Sequence, residues 1–315
     1  MKLVMLGTGP FAVPTLQALA GGPHEVALVV SRPFKGRKKA LRPPMHTAAE
    51  ELGIELWTPE SVNLPESIVR LESLEADLLV VCDYGEILKP AALGATRLGG
   101  VNLHGSLLPK YRGAAPVQWA VWNGDTVTGN TVIQMTAGLD AGPCLAQQRV
   151  DIDPDETAGE LEERLALLGA EAVVDVVEKL TAGTAETVEQ EHTAASKAPR
   201  LAKQDGLVDW SLPALQIKNR VRALSPWPRT FSFWHIEGRE PVRVVIDRVQ
   251  VDQSGEPEAS APGAAPGVVV EQSGKLLVQT GEGLLEVLTL QPAGKRVMQA
   301  AEFLRGYSGG RFASE

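Results

Sequence analysis

Cysteine is nearly absent: Cys82 and Cys144 are the two in 315 residues, too few for a disulfide framework or a four-cysteine zinc site, and compatible with a reducing compartment. No apolar run reaches the ~18 residues that a membrane span needs. The N-terminal stretch Met1–Leu16 carries Gly7 and Gly9 where a signal peptide needs unbroken apolar sequence. Neither membrane insertion nor secretion is indicated, so a cytoplasmic protein is expected, with no metal centre. Internal repeats are missing too, which removes solenoid architectures. A surplus of positive charge is also lacking. The net charge of -9 argues against non-specific nucleic-acid binding by the surface as a whole.

What is present is a globular composition, with 44% hydrophobic and 22% charged residues, enough to bury a core. The length suits about two domains. Acidity is concentrated in residues 1–204, where 26 acids face 18 bases; residues 205–315 hold 13 and 12. Within the acidic part lies one basic stretch, Arg32, Lys35, Arg37, Lys38, Lys39 and Arg42, with no acid before Glu50. Taken alone, such a run reads as a solvated loop.

Short apolar runs alternate with longer amphipathic stretches in the first part, the signature of βαβ units around a mostly parallel sheet. Strands are expected at Lys2–Leu6, Glu25–Val30, Asp77–Cys82, Gly100–Leu103 and Thr131–Met135, and helices at Phe11–Ala20, His46–Leu52, Pro65–Leu74, Ala115–Trp122 and Thr157–Leu180. After Gly183 the periodicity stops and the chain turns polar, giving domains at 1–184 and 205–315 joined by a linker at 185–204. The second part has a short helix around Leu215–Leu224 and several short strands, as in a small β-barrel or sandwich. Gln253–Gly267 is rich in Gly, Pro, Ala and Ser and reads as a surface loop, and Trp227, between two prolines, as a packing anchor.

Gly7-Thr8-Gly9-Pro10-Phe11-Ala12 follows a strand and opens a helix, fitting the G-x-G-x-x-A dinucleotide fingerprint. Pro10 removes one of the N–H groups that a pyrophosphate would use, and nothing downstream supplies a hydride-transfer site. A tight turn with Pro10 opening the helix explains the motif equally well. An NADP-dependent oxidoreductase remains the rival from a different class.

The richest segment runs from Val101 to Pro116. Val101 and Leu103 alternate with Asn102 and His104, so the two polar side chains leave one face at the carboxyl end of a strand, where open α/β sheets bind ligands. A histidine so placed can be structural or catalytic. Asp140, in Leu139-Asp140-Ala141-Gly142, follows another strand and supplies a carboxylate that could orient an imidazole. Ser106-Leu107-Leu108-Pro109 starts an irregular segment with backbone groups available to a flat hydrogen-bonding ligand. Cys82-Asp83-Tyr84-Gly85 ends a third central strand.

Asn102-x-His104 running into Ser106-Leu107-Leu108-Pro109-x-Tyr111-Arg112-Gly113-x-x-Pro116, followed by Leu139-Asp140-x-Gly142, resembles the signature of the folate-dependent formyltransferase family, in its tRNA-formylating branch. The likeness extends to Ser225-Pro226-Trp227-Pro228 and Leu290-Gln291-Pro292-Ala293-Gly294-Lys295, nearly the whole chain. It implies a Rossmann-like α/β domain that takes 10-formyltetrahydrofolate as formyl donor and a C-terminal OB-fold-like β-barrel that helps hold initiator methionyl-tRNA. No obligate protein partner is implied. The resemblance assigns catalysis to Asn102, His104 and Asp140, folate contact to Ser106, Leu107, Leu108 and Pro109, and tRNA contact to Arg37, Lys38, Lys39 and Arg42. Formylation of an amino-sugar nucleotide is the alternative within the same chemistry. Asp83 departs from the family, which commonly has a small apolar residue there. Lys218, Arg220, Arg222, Lys295 and Arg296 are candidate phosphate contacts of the second domain, with ordinary solvated bases as the even alternative.

Overall fold

The computed structural model describes residues 1–34, 36, 41–252, 265–272 and 274–313. They form two units, one of Met1–Val117, Val127–Ile152 and Glu160–Arg200, the other of Gln118–Thr126, Asp153–Gly159 and Leu201–Glu315. Arg37, Lys38 and Lys39 of the basic stretch lie outside the described residues, as do residues 253–264 of the surface loop.

The first unit follows the apolar runs. Its elements in order are β1 (Lys2–Leu6), α1 (Val13–Ala20), β2 (Glu25–Val30), α2 (Pro44–Glu51), β3 (Leu56–Trp57), α3 (Pro65–Ser73), β4 (Leu78–Cys82), α4 (Pro90–Leu93), β5 (Gly100–His104), β6 (Arg112–Gly113), α5 (Pro116–Trp122), β7 (Val127–Gln134), β8 (Cys144–Asp151), α6 (Ala158–Ala182) and β9 (Lys197–Ala198). α5 and α6 each have part of their length in the second unit. Proline opens α2, α3 and α4, where its missing N–H would have had no helical partner. Every residue of β4 is buried, as a strand covered on both faces requires.

The sheet order is β3-β2-β1-β4-β5-β7-β8. The first five strands run parallel, while β7 and β8 turn antiparallel. Chain order reverses between β1 and β4, and the carboxyl ends of these strands and of β5 form the crevice edge where such sheets take ligands.

Five elements here were not expected: β3, α4, β6, β8 and β9. β8 reads Cys-Leu-Ala-Gln-Gln-Arg-Val-Asp, without β-branched alternation, and is a strand because it pairs along β7 from Val127↔Asp151 to Ile133↔Cys144. The segment read as a linker divides at Arg200. Up to there it belongs to the first unit, where β9 pairs with β6 and Ser196 N–H donates to the Pro109 carbonyl.

The second unit contains α7 (Ala214–Ala223), β10 (Thr230–His235), β11 (Val242–Val251), β12 (Val269–Gln272), β13 (Lys275–Gln279), β14 (Leu284–Pro292), β15 (Met298–Gln299), α8 (Ala300–Gly306) and β16 (Arg311–Ala313). Strand order is β12-β13-β14-β11-β10-β16, all antiparallel, with β15 added to β14. Phe312 N–H donates to the Gly267 carbonyl, which brings the two ends of that order together and curls the sheet towards a barrel. Inside, Trp234 meets Phe303 and Phe312 edge-on at ring separations of 5.0 and 4.8 Å.

Two expectations for this unit are corrected. Trp227 is no packing anchor, since 51% of its surface is exposed. Arg222 is not a solvated base: it is buried and donates to Asn219 Oδ1 and to the carbonyls of Asp153 and Glu156. Arg220 lies over Trp122 and donates to the Asp205 carbonyl, and Lys218 pairs with Asp155 at 2.5 Å. A helix whose charged heads are enclosed by carbonyls and carboxylates is using them to satisfy the fold. Among the described residues, no helix is long and apolar enough to cross a membrane.

Candidate active site

β5 carries Asn102 and His104 two residues apart, hence on one face of the sheet, and β7 pairs with it so that His104 stands opposite Thr131. Just beyond β7, Asp140 brings its Oδ2 to 3.8 Å from His104 Nδ1. Both side chains are largely enclosed, with 6% and 13% exposure. The amide of Asn102 is partly buried, and among the described residues none hydrogen-bonds to it.

His104 Nε2 lies 2.9 Å from the carbonyl oxygen of Tyr111. A carbonyl can only accept, so Nε2 carries the proton and the lone pair of Nδ1 faces Asp140. Asp140 Oδ2 also accepts the Gly113 N–H at 2.9 Å, which fixes the carboxylate rotamer. Three non-glycine residues around these strand ends have left-handed backbones: Asp83, Tyr111 and Asp140, with φ of 45°, 64° and 47°. Such conformations cost about 1–3 kcal/mol each and persist only where neighbours hold them. Gly142 has no freedom for a side chain, since a Cβ would fall 1.8 Å from the Gln134 carbonyl oxygen.

Ser106, Leu107, Leu108 and Pro109 lie beside this centre but are mostly turned inward. Ser106 is fully buried, donating through Oγ to the Lys110 carbonyl, and its own carbonyl accepts from Thr131 Oγ1. Leu108 is buried with its N–H on Thr131 Oγ1 and its carbonyl on Gln147 Nε2. Leu107 and Pro109 keep partial exposure. Arg42 is exposed and pairs with Glu50 at 2.8 Å across solvent.

The turn after β1 answers the dinucleotide question. Gly7 N–H donates to the Val30 carbonyl and Thr8 N–H to the Asp83 carbonyl. Pro10 has no N–H, and the Gly9 N–H is taken by the Asp83 carboxylate. A Cβ on Gly9 would sit 1.8 Å from Asp83 Oδ2. The cradle that a pyrophosphate needs is filled by a carboxylate of the chain itself, and Arg32, the first basic residue after β2, is paired with Glu86 at 2.6 Å. The oxidoreductase alternative loses its binding site.

Asp83 is crowded by protein while keeping one accessible face. Loss of hydration pushes its carboxyl up to about 6, against the pull of the Gly9 N–H and Arg200. Glu162, in the first turns of α6, is pushed up to about 7 by burial and then by the negative charges of Asp83 and Glu163. The Cys82 thiol, fully buried, is held well above its ordinary range by the same loss of hydration. It is a packing residue in the reduced state.

Two groups beside the site gave no signal in the sequence. The Tyr111 carbonyl, which sets the imidazole tautomer, is a backbone atom. Gln190 comes from the polar, aperiodic stretch after α6, yet it is buried and bonded to both the Asp140 and Arg112 segments.

Comparison with known proteins identifies the family. Residues 1–177 match the family model "Formyl transferase" and residues 200–308 match "Formyl transferase, C-terminal domain". A methionyl-tRNA formyltransferase of Solibacter usitatus is 41% identical over 97% of this chain and 96% of its own length. That of Rhodopirellula baltica is 42% identical over 98% and 94%. Among solved structures, the sugar 3N-formyl transferase WlaRD, crystallised with dTDP and 5-N-formyl-THF, shares the fold with a TM-score of 0.67 over 94% of this chain and 99% of its own, at 15% identity. The chain belongs to the formyl transferase family, in the methionyl-tRNA formyltransferase branch.

Proposed function

We propose that the enzyme transfers the formyl group of 10-formyltetrahydrofolate to the α-amine of methionyl initiator tRNA, with Asn102, His104 and Asp140 at the reacting atoms. The observation that carries this reading is the apposition of His104 Nδ1 and Asp140 Oδ2 at 3.8 Å, with Asn102 one pleat away on the same strand face. The amine nitrogen attacks the formyl carbon, and the carbonyl electron pair moves onto its oxygen. Asn102 donates an N–H to that oxyanion, a contact worth about 2.7–4 kcal/mol in a dry site.

The attacking nitrogen gives up a proton as its new C–N bond forms, and the departing N10 takes one as the old bond breaks. His104 Nδ1 is the relay: it accepts the first proton and returns one to N10, so the net change moves a hydrogen from the amine to the folate. Asp140 stabilises the imidazolium in between without taking the proton. Ser106 to Pro109 would hold the folate, with Leu107 and Pro109 presenting the partly exposed surfaces. Arg37, Lys38, Lys39 and Arg42 would meet tRNA phosphates. A phosphate can displace the exposed Arg42–Glu50 pair at small cost, and such binding weakens with salt.

The test mixes purified enzyme, 10-formyltetrahydrofolate and methionyl initiator tRNA, with an amino-sugar nucleotide as competing acceptor. Formylmethionyl-tRNA is the expected product. Formylation of the sugar nucleotide alone would transfer the assignment to that substrate class.

A further inference from the structure

Asp140 has an unfavourable backbone, with φ of 47°, and stands within the loop between β7 and β8 rather than in a strand. Something must hold it there if its carboxylate is to stay beside His104. The Gly113 N–H holds the side chain. The main chain is held from the other direction, by Gln190.

Gln190 is 6% exposed. Its Nε2 donates to the carbonyls of Asp140 and Gly142 at 2.8 and 2.7 Å. Its Oε1 accepts from Arg112 Nη2 at 2.6 Å and Nε at 3.2 Å. These four bonds fix the amide orientation, because a flipped amide would put its NH2 against a guanidinium and its oxygen against two carbonyls. They also close a circuit. Gly113, which donates to the Asp140 carboxylate, follows Arg112 directly in sequence, so both ends of the Asp140 residue are tied to one short strand, β6.

We propose that Gln190 is a positioning residue for the formyl transfer: its amide clamps the Asp140 loop to Arg112 of β6 and so sets the carboxylate against the imidazole of His104. The inference rests on the roles given above to His104 and Asp140. An amide is the one neutral group that can serve two carbonyls and a guanidinium together. Glutamate keeps the acceptor for Arg112 but offers no donor to the carbonyls of Asp140 and Gly142, and methionine offers neither.

Gln190→Glu and Gln190→Met, made in the full-length enzyme, separate these contributions. Both are expected to lower kcat by about 10–100-fold, the range for losing a group that orients an active-site residue, with KM for either substrate within about threefold because ground-state contacts are untouched. Histidine NMR on the resting enzyme gives a readout independent of turnover. The His104 titration midpoint should move in both variants, since the carboxylate beside Nδ1 is displaced. Thermal unfolding shows whether the variants fold, and the NMR comparison is made below their melting temperatures. Wild-type kcat with an unmoved His104 midpoint in either variant overturns the proposal, and Gln190→Glu does so most directly, because it preserves the Arg112 contact. Failure of the parent reading looks different: His104→Ala would then turn over normally while the Gln190 variants still shifted the imidazole titration.

Discussion

The two units treat their polar groups in opposite ways. In the first, the ends of β4, β5 and β7 gather left-handed Asp83, Tyr111 and Asp140, two carboxyls held above their usual range, and an asparagine amide with no hydrogen bond from the described residues. In the second, charges inside the fold are matched: Arg222 faces two carbonyls and Asn219, and the buried Glu286 accepts from Lys275 Nζ and Gln250 Nε2 at 3.0 and 2.7 Å. Even its left-handed Arg229 is pinned by Gln291 and Asp247. One unit keeps strained and charge-raised groups at its strand ends, and the other pairs its enclosed charges. Substitutions should therefore separate activity from stability according to the unit they fall in.

The sharpest contrast is expected at the centre of the first unit. His104→Ala and Asn102→Ala should lower kcat by about 10²–10⁴-fold and about 10²–10³-fold, with melting temperature unchanged or raised. A steady-state assay paired with a thermal melt checks this, and a large loss of stability in both variants would break the comparison. Next in size is Arg222→Met in the second unit. It removes one donor from each of the Asp153 and Glu156 carbonyls and should cost about 1–3 kcal/mol by urea unfolding, with little change in kcat of the folded enzyme.

A smaller effect tests the raised carboxyls. With Asp83 at about 6 and Glu162 at about 7, both above the values of an unfolded chain near about 4, the folded protein binds extra protons in that window. Their contribution to stability must then fall as pH rises from about 4 through about 7, and it is lost about one unit above that. Glu162→Gln removes one of these groups. The drop in unfolding free energy between about pH 5 and about pH 8 should shrink by about 1 kcal/mol, allowing for partial solvent screening. An unchanged pH dependence would show that the Glu162 carboxyl is not raised as described. Smallest of all is Arg296→Ala, which cuts an exposed 2.7 Å pair with Glu302 and should change stability by less than about 0.5 kcal/mol.

Much of this site could be read in the chain because strand periodicity places side chains in advance. Val101 to His104 alternate, so Asn102 and His104 had to share a face wherever the strand lay. Asp140 was legible as a carboxylate at a strand end. Its distance from His104 was not, since that depends on β7 lying antiparallel beside β5. Gln190 was illegible for a similar reason, because a polar residue in an aperiodic stretch shows no partner until the chain folds back.

Asp83 shows the limit most clearly. Its identity marks a departure from the family pattern, but that it fills the turn after β1 and takes the Gly9 N–H follows only from the packing of β4 against β1. Likewise Arg220 and Arg222 carry the composition of phosphate contacts, and only their enclosure shows that they serve the fold.

By itself the amino-acid sequence determined the alternation of strand and helix, a change of architecture across residues 185–204 and the presence of an amide, an imidazole and a carboxylate at strand ends. These are properties of local periodicity and composition, which a linear chain carries explicitly. Tertiary structure alone decided which nitrogen of His104 holds its proton, what fills the Gly9 turn and how Asp140 is held, because each depends on a hydrogen bond between segments far apart in the chain. Directional bonds of a few ångströms have no linear signature.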